Sequence, residues 1–145
     1  MIKNILVSYD FTDFGNIAFE KAIEIARKFD SKITLLTVVG SGGDTSGMSL
    51  SRAQEVQDKT EKQTIKDLNK IKNSMQDGVD VSVSIVHNSS TIDGILSFVE
   101  KNNIDLIVMG SHGRSGFKKL VLGSVAAAVI AKTKCPVLIV KSLKQ

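Results

Sequence analysis

Tryptophan is absent from this sequence, tyrosine, cysteine and proline occur once each, and aromatic residues make up only 5% of the chain. So few flat rings argue against a protein that reads nucleic acid by stacking on its bases. The lone Cys135 excludes an internal disulfide, and with two histidines no Cys/His spacing suits a zinc site. A reducing, cytoplasmic setting is the expectation that follows. No apolar run approaches the roughly 20 residues of a membrane-spanning helix. The opening stretch MIKNILVSYDF has too short an apolar core for a signal peptide, so a soluble protein without a membrane partner is expected. An excess of one charge is also missing. The net charge is +4, but 19 basic and 15 acidic residues interleave, which argues against nucleic acid as the primary ligand.

What is present suffices for one domain spanning residues 1–145. At 42% hydrophobic, a chain of this length buries about two-thirds of the surface its unfolded form exposes. Residues 2–9 are short, apolar and rich in branched side chains, as a buried strand requires. Thr12 or Asp13 then caps a helix whose apolar face is read from Ala18, Ala22, Ile25 and Phe29. Residues 33–39 form a second strand, and Ser49 or Ser51 opens a long polar helix to about Met75. That helix has a thin apolar face, Val56, Ile65, Leu68, Ile71 and Met75, and so belongs on the surface. Val81, Val83 and Ile85 alternate with serines as a half-exposed strand near a sheet edge, and residues 90–93 resemble a capping box before a third helix. Residues 106–109 and 137–140 supply two more apolar strands, with an Ala-rich helix between them that Pro136 prevents from continuing. Strands alternating with helices in this way predict an α/β fold, a single doubly wound parallel sheet with helices on both faces.

In such sheets ligands bind beyond the carboxyl ends of the strands. There the fourth strand runs out of Met109 into a loop holding Gly110, Gly113 and Gly116, and Gly123-Ser124 opens the last helix. A helix N-terminus carries unpaired N–H groups and partial positive charge, and glycines let an anion approach the backbone closely. The segment reads as a phosphate cradle. Gly110-x2-Gly113-x9-Gly123-Ser124 resembles the nucleotide-binding motif G-x2-G-x9-G-(S/T) of the universal stress protein family. The resemblance runs along the whole chain, through the aspartate of VSYDF, the long second helix and the closing CPVLIV.

It implies a Rossmann-like domain with five parallel strands in the order 3-2-1-4-5, and ATP, ADP or AMP as ligand. Gly110, Gly113, Gly123 and Ser124 would meet the phosphates and ribose, Asp10, Val38 and Met109 would border the nucleoside, and Val125 would add a backbone contact. Ser8 stands where many ATP-binding members carry proline. Mg²⁺ or Mn²⁺ would be held through phosphates, since no dedicated protein cage is evident. With that strand order the fifth strand lies at an edge, and a homodimer joined through it is expected.

Several residues keep two readings. Asp10 is either a helix-capping residue or a ribose contact, and His112 either touches a phosphate or covers the loop. Arg114 is preferred over Lys118 and Lys119 as a phosphate-neutralising charge. His87 is read as the end of the third strand, and Cys135 as a small buried hydrophobe. Gly42-x4-Gly47-Met48-Ser49 has P-loop spacing but has methionine in place of the lysine. Neither histidine is part of a recognisable triad sequence, G-x-S-x-G is absent and no spaced carboxylate pair marks a catalytic set, so a binding switch in the stress response is expected first. A slow ATPase or adenylyl-transfer enzyme is the alternative.

Overall fold

The computed structural model describes residues 1–40, 46–75, 77–113 and 122–142. In chain order these form β1 (Asn4–Ser8), α1 (Asp13–Phe29), β2 (Lys32–Val39), α2 (Leu50–Met75), β3 (Asp80–His87), α3 (Thr91–Lys101), β4 (Leu106–Gly110), α4 (Ser124–Lys132) and β5 (Val137–Val140). All the strand pairings are parallel, in the order β3-β2-β1-β4-β5. That is the expected order, with β3 and β5 at the edges.

The central strands are apolar at successive positions because both their faces are covered. Ile5 and Val7 of β1 pack with Leu106 and Val108 of β4 on one side, against Phe19, Ala22 and Ala26 of α1 and Leu68 of α2. Leu6, Ile107 and Met109 point to the other side, where Ile95 of α3 and Ala126 and Val129 of α4 complete a second core. The start of the sheet is tied by Asp105, whose carboxylate accepts the backbone N–H groups of Lys3 at 2.9 Å and Asn4 at 2.8 Å. Those two bonds hold its carboxyl below the ordinary 3.8, the Asn4 bond most strongly.

Local chemistry sets the helix ends. Thr12 caps α1, accepting from the N–H of Gly15, and Ser90 caps α3, accepting from that of Asp93. Ser49 accepts from Arg52 at the start of α2, which gives this residue of the P-loop look-alike a capping task. Gly42 lies outside the described residues.

Two apolar faces differ from their expected positions. On α1 the buried side chains are Ala18, Phe19, Ala22, Ile23 and Ala26, with Gly15 buried in the first turn, while Phe29 is 51% exposed. The helix is turned so that the ring of Phe19 fills the core, and Phe29 lies at its last turn, where Asp30 ends the helix in a left-handed conformation. On α2, Leu68 is buried with Ile71 and Met75 packed against the same core, as expected, while Val56 and Ile65 are exposed. The helix outruns the sheet it covers. Its earlier turns are held instead at the end of β3, where the His87 ring lies 3.3 Å from Gln57 Nε2 and 3.2 Å from Glu61 Oε2.

Candidate functional site

A parallel sheet starts each following helix at the carboxyl ends of its strands, and the site is built there. β1 stops at Ser8, and Asp10 follows two residues later. Asp10 Oδ1 accepts from the Thr12 backbone N–H at 3.1 Å and from the Thr12 hydroxyl at 2.5 Å. The carboxylate thus braces the residue that caps α1. Phe11, between them, has φ of +64°, a left-handed conformation that costs a bulky residue about 1–3 kcal/mol. Its ring meets Tyr9 edge-on at 4.9 Å. Burial, and then the charges of Asp10 and Asp13, push the Tyr9 phenol above its ordinary pKa, so it stays protonated and donates to Asn16 Oδ1.

β4 contributes the opposite wall. A Cβ on Gly110 would lie 2.7 Å from Phe14 Cβ and 2.8 Å from the Phe14 carbonyl oxygen, so glycine there lets the first turn of α1 rest on the strand end. Beyond it the buried Ser111 donates its N–H to the Val140 carbonyl at 3.0 Å and accepts from the Gly123 N–H at 2.6 Å. One residue joins β5, the loop and the entry to α4. A Cβ on Gly123 would come 3.1 Å from that same Ser111 oxygen, and one on Gly113 would come 3.1 Å from Asp10 Oδ2. Gly123 has φ of −69°, and the described glycines with left-handed φ are Gly47 and Gly78. The motif glycines are therefore needed for space.

α4 differs from α1 and α3 in its cap. Gly123 occupies the position and supplies no side-chain hydrogen bond, so the first-turn N–H groups of α4 lack the partner that Thr12 and Ser90 give theirs. Those groups open on a cleft of about 90 Å³. Ser8, Asp10 and Gly15 line it from the β1 side, Met109 to Gly113 from β4, Gly123 to Ala126 from α4, and Thr91 from the start of α3. The volume is small beside the ~300 Å³ or more of an enclosed ligand pocket. It suits the phosphate end of a nucleotide whose remainder lies across an open surface.

Seven of the expected site residues, Asp10, Met109, Gly110, Gly113, Gly123, Ser124 and Val125, come together here. Val38 does not line the cleft. Its side chain packs under α3, within 2.8 Å of where a Cβ on Gly94 would sit. Arg114, Lys118 and Lys119 lie outside the described residues. Thr91 and Gly15 were missed. For Gly15 the signal is its place in the first turn after Asp10, where a Cβ would come 2.9 Å from the carboxylate. Thr91 was marked in sequence only as part of a capping box. His112 also lines the cleft, its Nδ1 3.0 Å from Ser111 Oγ and its ring 5.2 Å from that of Phe14.

The profile of the universal stress protein family matches residues 1–141. The chain belongs to that family. Universal stress protein MJ0531 of Methanocaldococcus jannaschii is 33% identical over 156 aligned positions, covering 100% of this chain and 85% of the relative. The solved structure of MJ0577 from the same organism superposes with a TM-score of 0.80 at 29% identity, covering 100% of this chain and 99% of that one. A universal stress protein solved in complex with cAMP shares the fold, with a TM-score of 0.66, 21% identity and 97% of each chain covered. The cleft at the carboxyl end of β1 and β4 offers backbone donors on one wall and the Asp10 carboxylate on the other. Among the described residues no group of three or more His, Cys, Asp and Glu side chains is placed to hold a metal ion.

Proposed function

We propose that this universal stress protein binds an adenine nucleotide, ATP, as a regulatory ligand of the stress response in the cytoplasm. The observation that carries the reading is the uncapped N-terminus of α4, opening on a cleft where Gly113 and Gly123 bring the backbone to the surface. Phosphate oxygens would take the N–H groups that no side chain takes, favoured by the positive end of the helix. Asp10 would turn its carboxylate to hydroxyl or amino groups of the nucleoside, because a carboxylate repels phosphate. Mg²⁺ or Mn²⁺ would travel on the phosphates, neutralising charge there, with Asp10 the acidic side chain on the cleft. The neighbour in complex with cAMP supports an adenine nucleotide as the class.

We also propose a homodimer joined through β5, since that strand lies at the sheet edge with Pro136 and Lys141 guarding only its ends. Turnover of ATP is expected to be slow or absent.

The test is titration calorimetry with ATP and Mg²⁺ on the wild type, Gly113→Val, Gly123→Val and Ser124→Ala, with circular dichroism to verify folding. Wild type should bind, and the valine variants should lose affinity at least several-fold as their side chains enter the phosphate space. Equal affinity in folded variants removes the motif from the site.

A further inference from the structure

Cations and acids that alternate along the sequence separate once α2 is wound. At about 100° per residue, Arg52, Lys59, Lys62, Lys66 and Lys70 fall on the side of the helix facing away from the buried Leu68. All five are exposed, and they span about 27 Å of helix axis. Glu55 is the acid within the stripe. Asp58 and Asp67 flank it, accepting hydrogen bonds at 2.9 Å from Gln54 and Gln63. Among the described residues none of the five cations is in an ion pair. Lys59, Lys62 and Lys66 share an open surface with Thr60, Gln63 and Thr64.

The chemistry of this face selects its occupant. A row of five unpaired cations with one acid among them leaves a net positive face, which complements a regular polyanion. α2 has no aromatic residue, so single-stranded bases find nothing to stack on. Leu50, at 92% exposure its most exposed apolar side chain, projects opposite the stripe, so a helix laid charge-down on a membrane would insert nothing apolar. The hydroxyls of Thr60 and Thr64 donate to carbonyls of the helix itself, so their protons are not available to a ribose 2′-hydroxyl. We propose that the outward face of α2 docks on the phosphate backbone of duplex DNA without reading sequence. The stripe covers about eight base pairs. This surface is separate from the nucleotide cleft, and the proposal stands whether or not that cleft binds ATP.

Fluorescence anisotropy with a short labelled DNA duplex tests it. Wild type should bind at low salt and lose about 100-fold in affinity between about 50 and 200 mM salt, a log–log slope near −3 to −4. The triple variant Lys59→Gln, Lys62→Gln, Lys66→Gln should weaken binding at least tenfold, with unchanged circular dichroism. A control triple, Lys28→Gln, Lys101→Gln, Lys132→Gln, removes the same charge from exposed sites elsewhere and should change affinity less than threefold. Equal loss in the two triples assigns the binding to net charge and overturns the proposal. So does absence of binding at low salt, or tighter binding to duplex RNA or to phosphatidylserine vesicles.

Discussion

Three glycines of one motif have three different neighbours, and that difference separates packing from ligand binding. Gly110 faces the backbone of α1, Gly113 faces a carboxylate oxygen, and Gly123 faces the Ser111 carbonyl. Gly110→Ala should therefore destabilise the fold, by about 1–3 kcal/mol, because a backbone oxygen at 2.8 Å yields less readily than a side-chain tip. Gly113→Ala should stay within about 1 kcal/mol of wild type, since a shift of a few tenths of an ångström at Asp10 Oδ2, 3.1 Å away, makes room, and its cost should appear in ATP affinity instead. Urea unfolding of the two variants separates these outcomes; equal stabilities would mean that the α1 contact with Gly110 relaxes freely. The spacing of Gly113, Gly123 and Ser124, with a strand before and a helix after, made this part of the site legible in sequence. Gly15, Thr91 and the packing of Val38 beside Gly94 were not legible, because each depends on which element arrives opposite. A residue's spacing in its own helix or strand does not encode that.

Among the elements, order, type and caps followed from short-range chemistry: branched apolar runs, Thr12 and Ser90 before their helices, Pro136 after the last one. What periodicity misplaced was the rotation of α1. Ala18, Ala22, Ile25 and Phe29 and the observed Ala18, Phe19, Ala22, Ile23 and Ala26 are overlapping stripes, and the sheet chooses the one that buries Phe19. The entry into β1 offers a sharper test. Because the folded-state pKa of Asp105 is lowered, its contribution is present above the unfolded value near 3.8 and is lost as pH falls through the folded one. Asp105→Ala should cost about 1 kcal/mol at neutral pH, the two backbone hydrogen bonds being discounted for partial exposure. That difference should shrink towards zero in acid. Thermal unfolding of both proteins across pH 2 to about 7 measures it; a gap unchanged in acid would show that the carboxylate charge is not what ties β1 to β4.

On the scale of the whole molecule the two sheet edges are treated differently. β3 ends in His87, clamped by Gln57 and Glu61 of α2, whereas β5 has partly buried Val137, Leu138 and Ile139. Sedimentation velocity at micromolar concentration should show a dimer, and Ile139→Pro should shift it towards monomer by removing an N–H donor from the edge. A wild-type protein monomeric well above that concentration would remove β5 as an interface. The strand order needed for this argument was legible only through the family resemblance, since helix and strand patterns alone leave the winding of the sheet open.

The same parallel winding gives the molecule an electrical polarity. α1, α3 and α4 all begin at the carboxyl end of the sheet, so their peptide dipoles add instead of cancelling, and each presents about half a positive charge there. An anion approaching from solution meets an attractive field at that end before it touches any side chain. The field reaches roughly 10 Å at ordinary ionic strength and farther as salt is diluted. Ligand capture would therefore quicken in dilute salt, whereas departure, governed by contacts inside the cleft, would change much less.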